Sequence, residues 1–577
     1  MSKKVIIVGG VAGGASAAAR LRRMDENAEI IMFEKGEYIS FANCGLPYYI
    51  GGIIEERDAL LVQTVEGMSS KFSMDIRVLS EVTNIDPSKK VITIKNLKTN
   101  EVYEESYDKL ILSPGANPIK PPIPGINEAT NLFTLRNIPD TDAIKSFVDH
   151  NKPKSAIVIG GGFIGIEMAE NLHHRGIHVT IVEASDQIMG PIDYEMASIL
   201  HNHIKSQGLD LVLGDGVKSF ENQGRKLVLQ SGKEIETDLI IFAIGVRPES
   251  GIAKDAGLKL NERGAIQVNE YLQTSDENIY AIGDAIEVVD FVTGKPTMIP
   301  LAGPANKQGR IVANNICGNL EKYVGTMGTS VAKVLDMTVA STGNNEKILK
   351  SKEIKYEAIH IHPGSHAGYY PGAAPISIKM LFDPKTGQIF GAQAVGYDGV
   401  EKRIDVIATA ITANMTAMDL SELELSYAPP FSSAKDPVNM LGFVAKNITE
   451  GLVDTFQWHE VDDIVKSGNL LIDVREPIEH DLGYIEGAKL MSLGDIRSRL
   501  NELPKDKTIY LYCQVGIRGY NASRILIQNG FKVKNLDGGY KTYESVFLNN
   551  KSDNCVTYID DSGVAKIDCS TGERKSK

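Results

Sequence analysis

Cysteine is scarce in this chain: Cys44, Cys317, Cys513, Cys555 and Cys569 are the five in 577 residues. Their number is odd, they are widely scattered and no two form a Cys-x-x-Cys pair. That pattern argues against a disulfide framework and against a zinc site, so no metal is expected; individual reactive thiols in a reducing cytosol fit better. No apolar run approaches the roughly 18 residues that a membrane span needs. The N-terminus passes from Met-Ser-Lys-Lys directly into Val5-Ile6-Ile7-Val8-Gly9-Gly10, without the apolar core and cleavage site of a signal peptide, so a cytoplasmic protein is expected. Basic residues are outnumbered, 61 against 74 acidic, for a net charge of −13. A chain of that sign has no general affinity for nucleic acid or anionic membrane. The balance of 42% apolar and 23% charged residues is that of a globular protein, and the length suggests about four domains.

Strand-like apolar runs alternate with helical patterns over most of the first 320 residues, an α/β arrangement with parallel sheets. Two stretches, Val5–Glu34 and Ala156–Glu183, repeat one plan: apolar strand, glycine turn, amphipathic helix, second strand, terminal Glu. Duplicated dinucleotide folds suggest two nucleotides held face to face. From about 325 to 446 the texture becomes α+β, with a strand over Ile376–Phe382 and a helix over Val400–Met418. A compact unit restarts near Trp458 and ends near Tyr543, and the polar stretch Asn549–Lys577 reads as a poorly ordered tail.

The second glycine turn, Gly160-Gly161-Gly162-Phe163-Ile164-Gly165, has the G-x-G-x-x-G spacing. Gly160 makes the tight turn, Gly162 admits a pyrophosphate and Gly165 lets helix meet strand, with helix amides facing the phosphates. Glu183 closes the next strand, where a carboxylate hydrogen-bonds a ribose 2′-OH and repels a 2′-phosphate; no Arg follows. NADH is therefore the expected donor, with NADPH the alternative. The first turn, Gly9-Gly10-Val11-Ala12-Gly13-Gly14, has Val11 where the middle glycine belongs, and Glu34 restores the ribose contact.

Two distant segments bear on the ligand of that first turn. The segment holding Ser113, Pro114 and Gly115 (Leu110–Ala116) resembles a strand-and-turn element of FAD-dependent pyridine nucleotide reductases. Asn278–Asp284 resembles their second FAD element, in which the acidic residue, here Asp284 after Gly283, contacts the ribityl chain. In Ser40-Phe41-Ala42-Asn43-Cys44-Gly45-Leu46-Pro47, a helix starting just after Cys44 would lower its thiol pKa. The segment looks like the active-site stretch of coenzyme A-disulfide reductases and NADH-dependent persulfide reductases, single-cysteine flavin disulfide reductases. With no second Cys nearby, the oxidised state must be a sulfenic acid or a mixed disulfide with a small thiol.

That resemblance spans about residues 3–446 and implies further roles. Ser40 and Asn43, beside the thiol, and Arg20, Arg23, Lys71, Asn306, Arg310 and Lys435 stand where the family holds coenzyme A. Tyr369, in His366–Gly372, and Tyr427, in Ser426–Pro430, match paired tyrosines that reach across a homodimer interface to the thiol. A His common in the first turn of related NADH oxidases and peroxidases is absent at Val11-Ala12, which argues against oxygen or peroxide as main substrate.

Residues 455–548 resemble a single rhodanese domain: Leu471–Glu476, Tyr484–Ala488, Tyr512–Gly519 and Asn535–Tyr540 carry the likeness. In its C-x-x-G-x-R loop, backbone N–H groups curl around the Cys513 sulfur and Arg518 adds positive charge, an anion nest suited to a thiolate or persulfide. Asp473 and Arg475 read as bracing the fold, Cys317 as packing, and Cys555 and Cys569 carry no functional weight.

The expected organisation is an FAD-binding domain from 1–150 and 247–325, an NAD(H)-binding domain at 151–246, a dimerisation domain at 326–446, a rhodanese domain at 455–548 and a tail. The expected activity is NADH-dependent reduction of coenzyme A disulfide, persulfide or polysulfide through Cys44, with Cys513 handling sulfane sulfur. The alternatives are a sulfurtransferase with an ancillary reductase, and an NADH oxidase.

Overall fold

The computed structural model describes residues 3–551, 556–559 and 565–568. The chain forms two compact units, one from 1–189 with 209–328 and the other from 190–208 with the residues after 328.

In the first unit, five parallel strands run in the order Ile279–Ala281, Lys109–Leu112, Lys4–Val8, Glu29–Phe33, Asp75–Arg77. Val, Ile and Leu fill them because helices cover such sheets on both faces. Register decides function here: Val8 pairs with Leu112 and Leu112 with Ala281. Three turns separated by a hundred residues and more therefore leave the sheet at one edge. A second parallel sheet runs Asp210–Val212, His178–Val182, Ser155–Ile159, Leu239–Phe242, Leu132–Phe133. Two three-stranded antiparallel sheets, 80–106 and 217–236, accompany them.

The second unit holds an antiparallel sheet in the order Ser330–Val334, Met337–Gly343, Ile389–Gly396, Ile376–Phe382, Glu357–Ile361. The helix expected to reach Met418 ends at Thr412, because Asn414 turns to φ 54°. Beside it lies an all-parallel sheet, Asp454–Phe456, Lys532–Leu536, Thr508–Tyr512, Leu470–Asp473, Lys489–Leu490. Val556–Ile559 pairs antiparallel with Ala565–Asp568, where composition had suggested disorder; the segment Val-Thr-Tyr-Ile is strongly strand-forming. Cys555 and Cys569 lie outside the described residues.

Lys379 is fully buried within the apolar strand Ile376–Phe382. Its ammonium lies 3.0 Å from Asp193 and 2.5 Å from Glu346 and also binds Glu195. Oxygens of these three carboxylates lie within 4.8 Å of one another, so the lysine occupies the place a cation would take. Among the described residues, no helix is long and apolar enough to cross a membrane.

Candidate active site and sulfur loop

The first glycine turn is shaped by close backbone approach. Gly9 has φ +98°, and a Cβ there would meet the Ser113 carbonyl oxygen at 2.1 Å; one on Gly14 would meet the Gly9 oxygen at 1.9 Å. Gly13 faces Ser113 and Ile282, and a Cβ on Gly283 would come 3.8 Å from Ser113 Oγ, so the first turn, Ser113–Gly115 and Gly283–Asp284 line one cradle. Gly10 N donates to Glu34 Oε2 at 2.9 Å, leaving Glu34 beside the turn. Val11 is extended at φ −100°, which a β-branched residue accepts.

The second turn repeats this plan. Gly160 has φ +110°, a Cβ on Gly165 would meet the Gly160 oxygen at 1.9 Å, and Gly161 N donates to Glu183 Oε2 at 2.7 Å. A Cβ on Gly162 would meet nothing within 4 Å, so open space stands where a phosphate presses against backbone. Both cradles thus fit dinucleotides by backbone shape and a carboxylate at the ribose position.

Cys44 stands in a 3-10 turn, Asn43–Gly45, ahead of a helix of one and a half turns, Leu46–Gly51. The thiol is solvent-reachable, but its pKa is raised, against the lowering expected from a helix N-terminus. Desolvation by the surrounding atoms is the main cause, followed by the carboxylates of Glu167 and Asp284. So short a helix has little dipole to offer against them. Glu167 lies on the helix Phe163–His174, two residues past Gly165. Burial and then Glu170 push its carboxyl to about 7. Sequence reasoning missed it, since only the packing of Leu46–Gly51 on that helix brings it near. Glu167→Gln removes a charge that opposes the thiolate. The pH profile of Cys44 alkylation by iodoacetamide is expected to move to lower pH in this variant; an unmoved profile would show that desolvation and Asp284 set the shift without Glu167.

Ser40 takes φ 47° and its N donates to Gly10 O at 2.9 Å, which joins the thiol segment to the first turn. The basic residues fall into groups. Ser16 Oγ bonds Asn306 Oδ1 at 2.5 Å and Arg20 Nε bonds Asn314 Oδ1 at 2.8 Å, where helices Ala12–Met24 and Ala302–Ile316 pack together. Arg310 is exposed on the second of these. Arg23 and Lys71 share the Phe72 ring, 5.3 and 5.5 Å from its centre. Cys317 ends the helix Ala302–Ile316 and packs against the core. In the second unit Lys435 is exposed, and the Tyr369 and Tyr427 hydroxyls meet at 2.7 Å on its surface.

Cys513 follows the strand Thr508–Tyr512 and precedes the helix Ile517–Gln528. It is fully buried, and Gly516 N donates to its sulfur at 3.2 Å. Arg518 acts on both sides: two bonds, at 2.5 and 2.6 Å, pair its guanidinium with Glu479, and after Glu479 the Cys513 thiol also raises its pKa, so its charge stands beside the sulfur as expected. Behind the loop, Arg475 binds Asp473, donates to Gln514 Oε1 at 3.0 Å and lies 4.3 Å over the Tyr540 ring.

Two dinucleotide cradles, one opening toward a lone thiol, agree with what the sequence matches: residues 3–309 match the Pyridine nucleotide-disulphide oxidoreductase family. The chain belongs to that family. Its dimerisation domain matches residues 329–437, and a rhodanese-like domain matches 457–545. Coenzyme A disulfide reductase of Staphylococcus haemolyticus (strain JCSC1435) is 37% identical over 451 residues, 77% of this chain and 100% of the relative. The crystal structure of reduced Bacillus anthracis CoADR-RHD is 62% identical, with a TM-score of 0.94 over 95% of this chain and 99% of that one. The NAD-dependent persulfide reductase from A. fulgidus is 38% identical, with a TM-score of 0.87 over 94% and 100%. As a pyridine nucleotide-disulphide oxidoreductase, the chain is an enzyme that uses FAD and NAD(H), and the two cradles are the elements that fit them.

Proposed function

We propose that this enzyme reduces coenzyme A disulfide or coenzyme A persulfide at Cys44, with NADH as electron source, and that Cys513 carries sulfane sulfur for the same chemistry. The observation that carries the reading is the solitary thiol, Cys44, in reach of Asp284 of the first cradle and Glu167 beside the second. FAD, when bound, supplies the relay of an electron pair from NADH to sulfur.

The cradle of residues 1–150 and 247–325 holds FAD through Gly9, Gly13, Gly14, Glu34, Ser113–Gly115 and Gly283–Asp284. Residues 151–246 hold NADH through Gly160, Gly162, Gly165 and Glu183. The Cys44 thiolate attacks the sulfur attached to coenzyme A; the S–S bond breaks, a Cys44–S–S–coenzyme A bond forms, and coenzyme A thiolate or hydrosulfide leaves. Two electrons and a proton then return Cys44 and free coenzyme A. Arg20, Arg23, Lys71, Asn306 and Arg310, with Ser40 and Asn43, receive the nucleotide and pantetheine. In a homodimer, the hydroxyls of Tyr369 and Tyr427 donate to the departing sulfur. Cys513 takes sulfur from a donor as a persulfide and passes it to coenzyme A.

Intact mass of the purified holoenzyme tests the reading. An adduct of one coenzyme A on Cys44, lost on adding NADH, is expected. A bare thiol, together with NADH oxidation that ignores coenzyme A disulfide and persulfide but follows oxygen, would replace it by the oxidase reading.

A further inference from the structure

Asp537 opens the turn Asp537-Gly538-Gly539-Tyr540 after the strand Lys532–Leu536. This turn holds the sulfur loop from behind. Tyr540 N donates to the Cys513 carbonyl at 2.7 Å and Lys541 N to the Gln514 carbonyl at 2.9 Å. The fit is close on both sides. A Cβ on Gly539 would meet the Cys513 carbonyl oxygen at 2.5 Å, and one on Gly538 would meet the His360 Cβ at 2.8 Å.

His360 belongs to a different sheet, on the strand Glu357–Ile361. It is buried, and both oxygens of Asp537 turn to it. His360 N donates to Asp537 Oδ1 at 3.0 Å, and the ring Nδ1 lies 2.5 Å from Asp537 Oδ2. The far nitrogen, Nε2, lies 2.9 Å from Glu195 Oε1, and Glu195 is bonded in turn to Lys379. Against burial, Asp537 and Glu195 raise the imidazole pKa to about 9, with Lys379 opposing, so both nitrogens carry protons at neutral pH. His362 adds a second tie, 2.8 Å from Thr542 Oγ1. A buried, charge-assisted, two-point contact leaves the Asp537 carboxylate one orientation.

We propose that His360 is a positioning residue for sulfur transfer at Cys513: through Asp537 it fixes the turn that bonds the carbonyls of Cys513 and Gln514, and with them the loop that faces the sulfur. The proposal rests on the reading of Cys513 as the sulfur-carrying thiol. Transfer between sulfurs needs the attacking atom aligned with the S–S bond, and a displacement of about 1 Å can cost on the order of 10²-fold in rate.

The test uses full-length holoenzyme and thiosulfate-to-cyanide transfer. His360→Asn keeps a donor where Nδ1 stands, His360→Gln moves it toward the place of Nε2, and His360→Ala removes it. The kcat for transfer is expected to fall roughly 10- to 100-fold in H360A and H360Q, with KM for thiosulfate within about twofold and H360N recovering most of the loss. Amide exchange over residues 513–518 and 537–541 is expected to quicken in the same order, while NADH-driven reduction stays at its wild-type rate. Should H360A not fold, the contrast of H360N with H360Q decides. Wild-type transfer in H360A, or equal behaviour of H360N and H360Q, overturns the positioning role alone. A wild-type enzyme that moves sulfur from neither thiosulfate nor an organic persulfide overturns the reading of Cys513, and the positioning role with it.

Discussion

Cys44→Ser is expected to lower NADH-driven reduction of coenzyme A disulfide and persulfide by at least about 10³-fold, the scale on which a covalent nucleophile is lost. Serine is nearly isosteric, so the 3-10 turn Asn43–Gly45 and the bond from Ser40 N to Gly10 O should persist. The visible spectrum and flavin content of the variant should therefore match wild type. A serine hydroxyl cannot accept sulfur as a mixed disulfide, so the coenzyme A adduct should vanish from the mass spectrum. Cys513→Ala is the counterpart: it should abolish thiosulfate-to-cyanide transfer and leave coenzyme A disulfide reduction intact. If C44S retains reduction at a tenth of the wild-type rate or more, the sulfur substrate does not react at that thiol.

The largest effect on stability is expected at Lys379. Lys379→Met preserves volume and removes the one ammonium that Asp193, Glu195 and Glu346 share. Breaking a buried ion group from one side costs about 3–5 kcal/mol, because the carboxylates lose their compensation without leaving the interior. For a unit of this size, thermal unfolding should fall on the order of 10 °C, with loss of both activities at the lower temperature. Acid acts on the same group. Against burial, Lys379 and Lys350 hold the Glu346 carboxyl at about 2. A depressed native pKa contributes stability that is present above the unfolded value of about 4.3 and lost as pH falls toward 2. K379M should remove most of that acid dependence. A melting temperature within a degree of wild type would mean that the carboxylates re-pair or protonate at little cost.

The two nucleotide cradles were legible because their demands are local. Gly9 and Gly160 need positive φ, Gly14 and Gly165 need the absence of a Cβ, and a strand followed at once by Glu34 or Glu183 comes soon after each turn. Residues that act through packing were not legible. Glu167 is 123 positions from Cys44 by number, so the raised thiol pKa could not be read from the Asn43–Leu46 segment. Glu479 sits on a short helix 39 residues before Arg518, and nothing in the C-x-x-G-x-R loop announces it as the partner that orients the guanidinium. Lys379 interrupts an apolar strand, a signal of a buried charge, but its three carboxylates come from residues 33 to 186 positions away.

The edge alignment of Val8, Leu112 and Ala281 bears on how the protein is made. The second parallel sheet is complete once residues 132–242 have left the ribosome, whereas the first lacks its outer strand until residue 281 has emerged. During synthesis the later-encoded nucleotide fold can close first, while the strand Lys109–Leu112 waits with its outer apolar edge unpaired. A nascent chain arrested between residues 242 and 279 should accordingly depend on chaperones and retain no flavin.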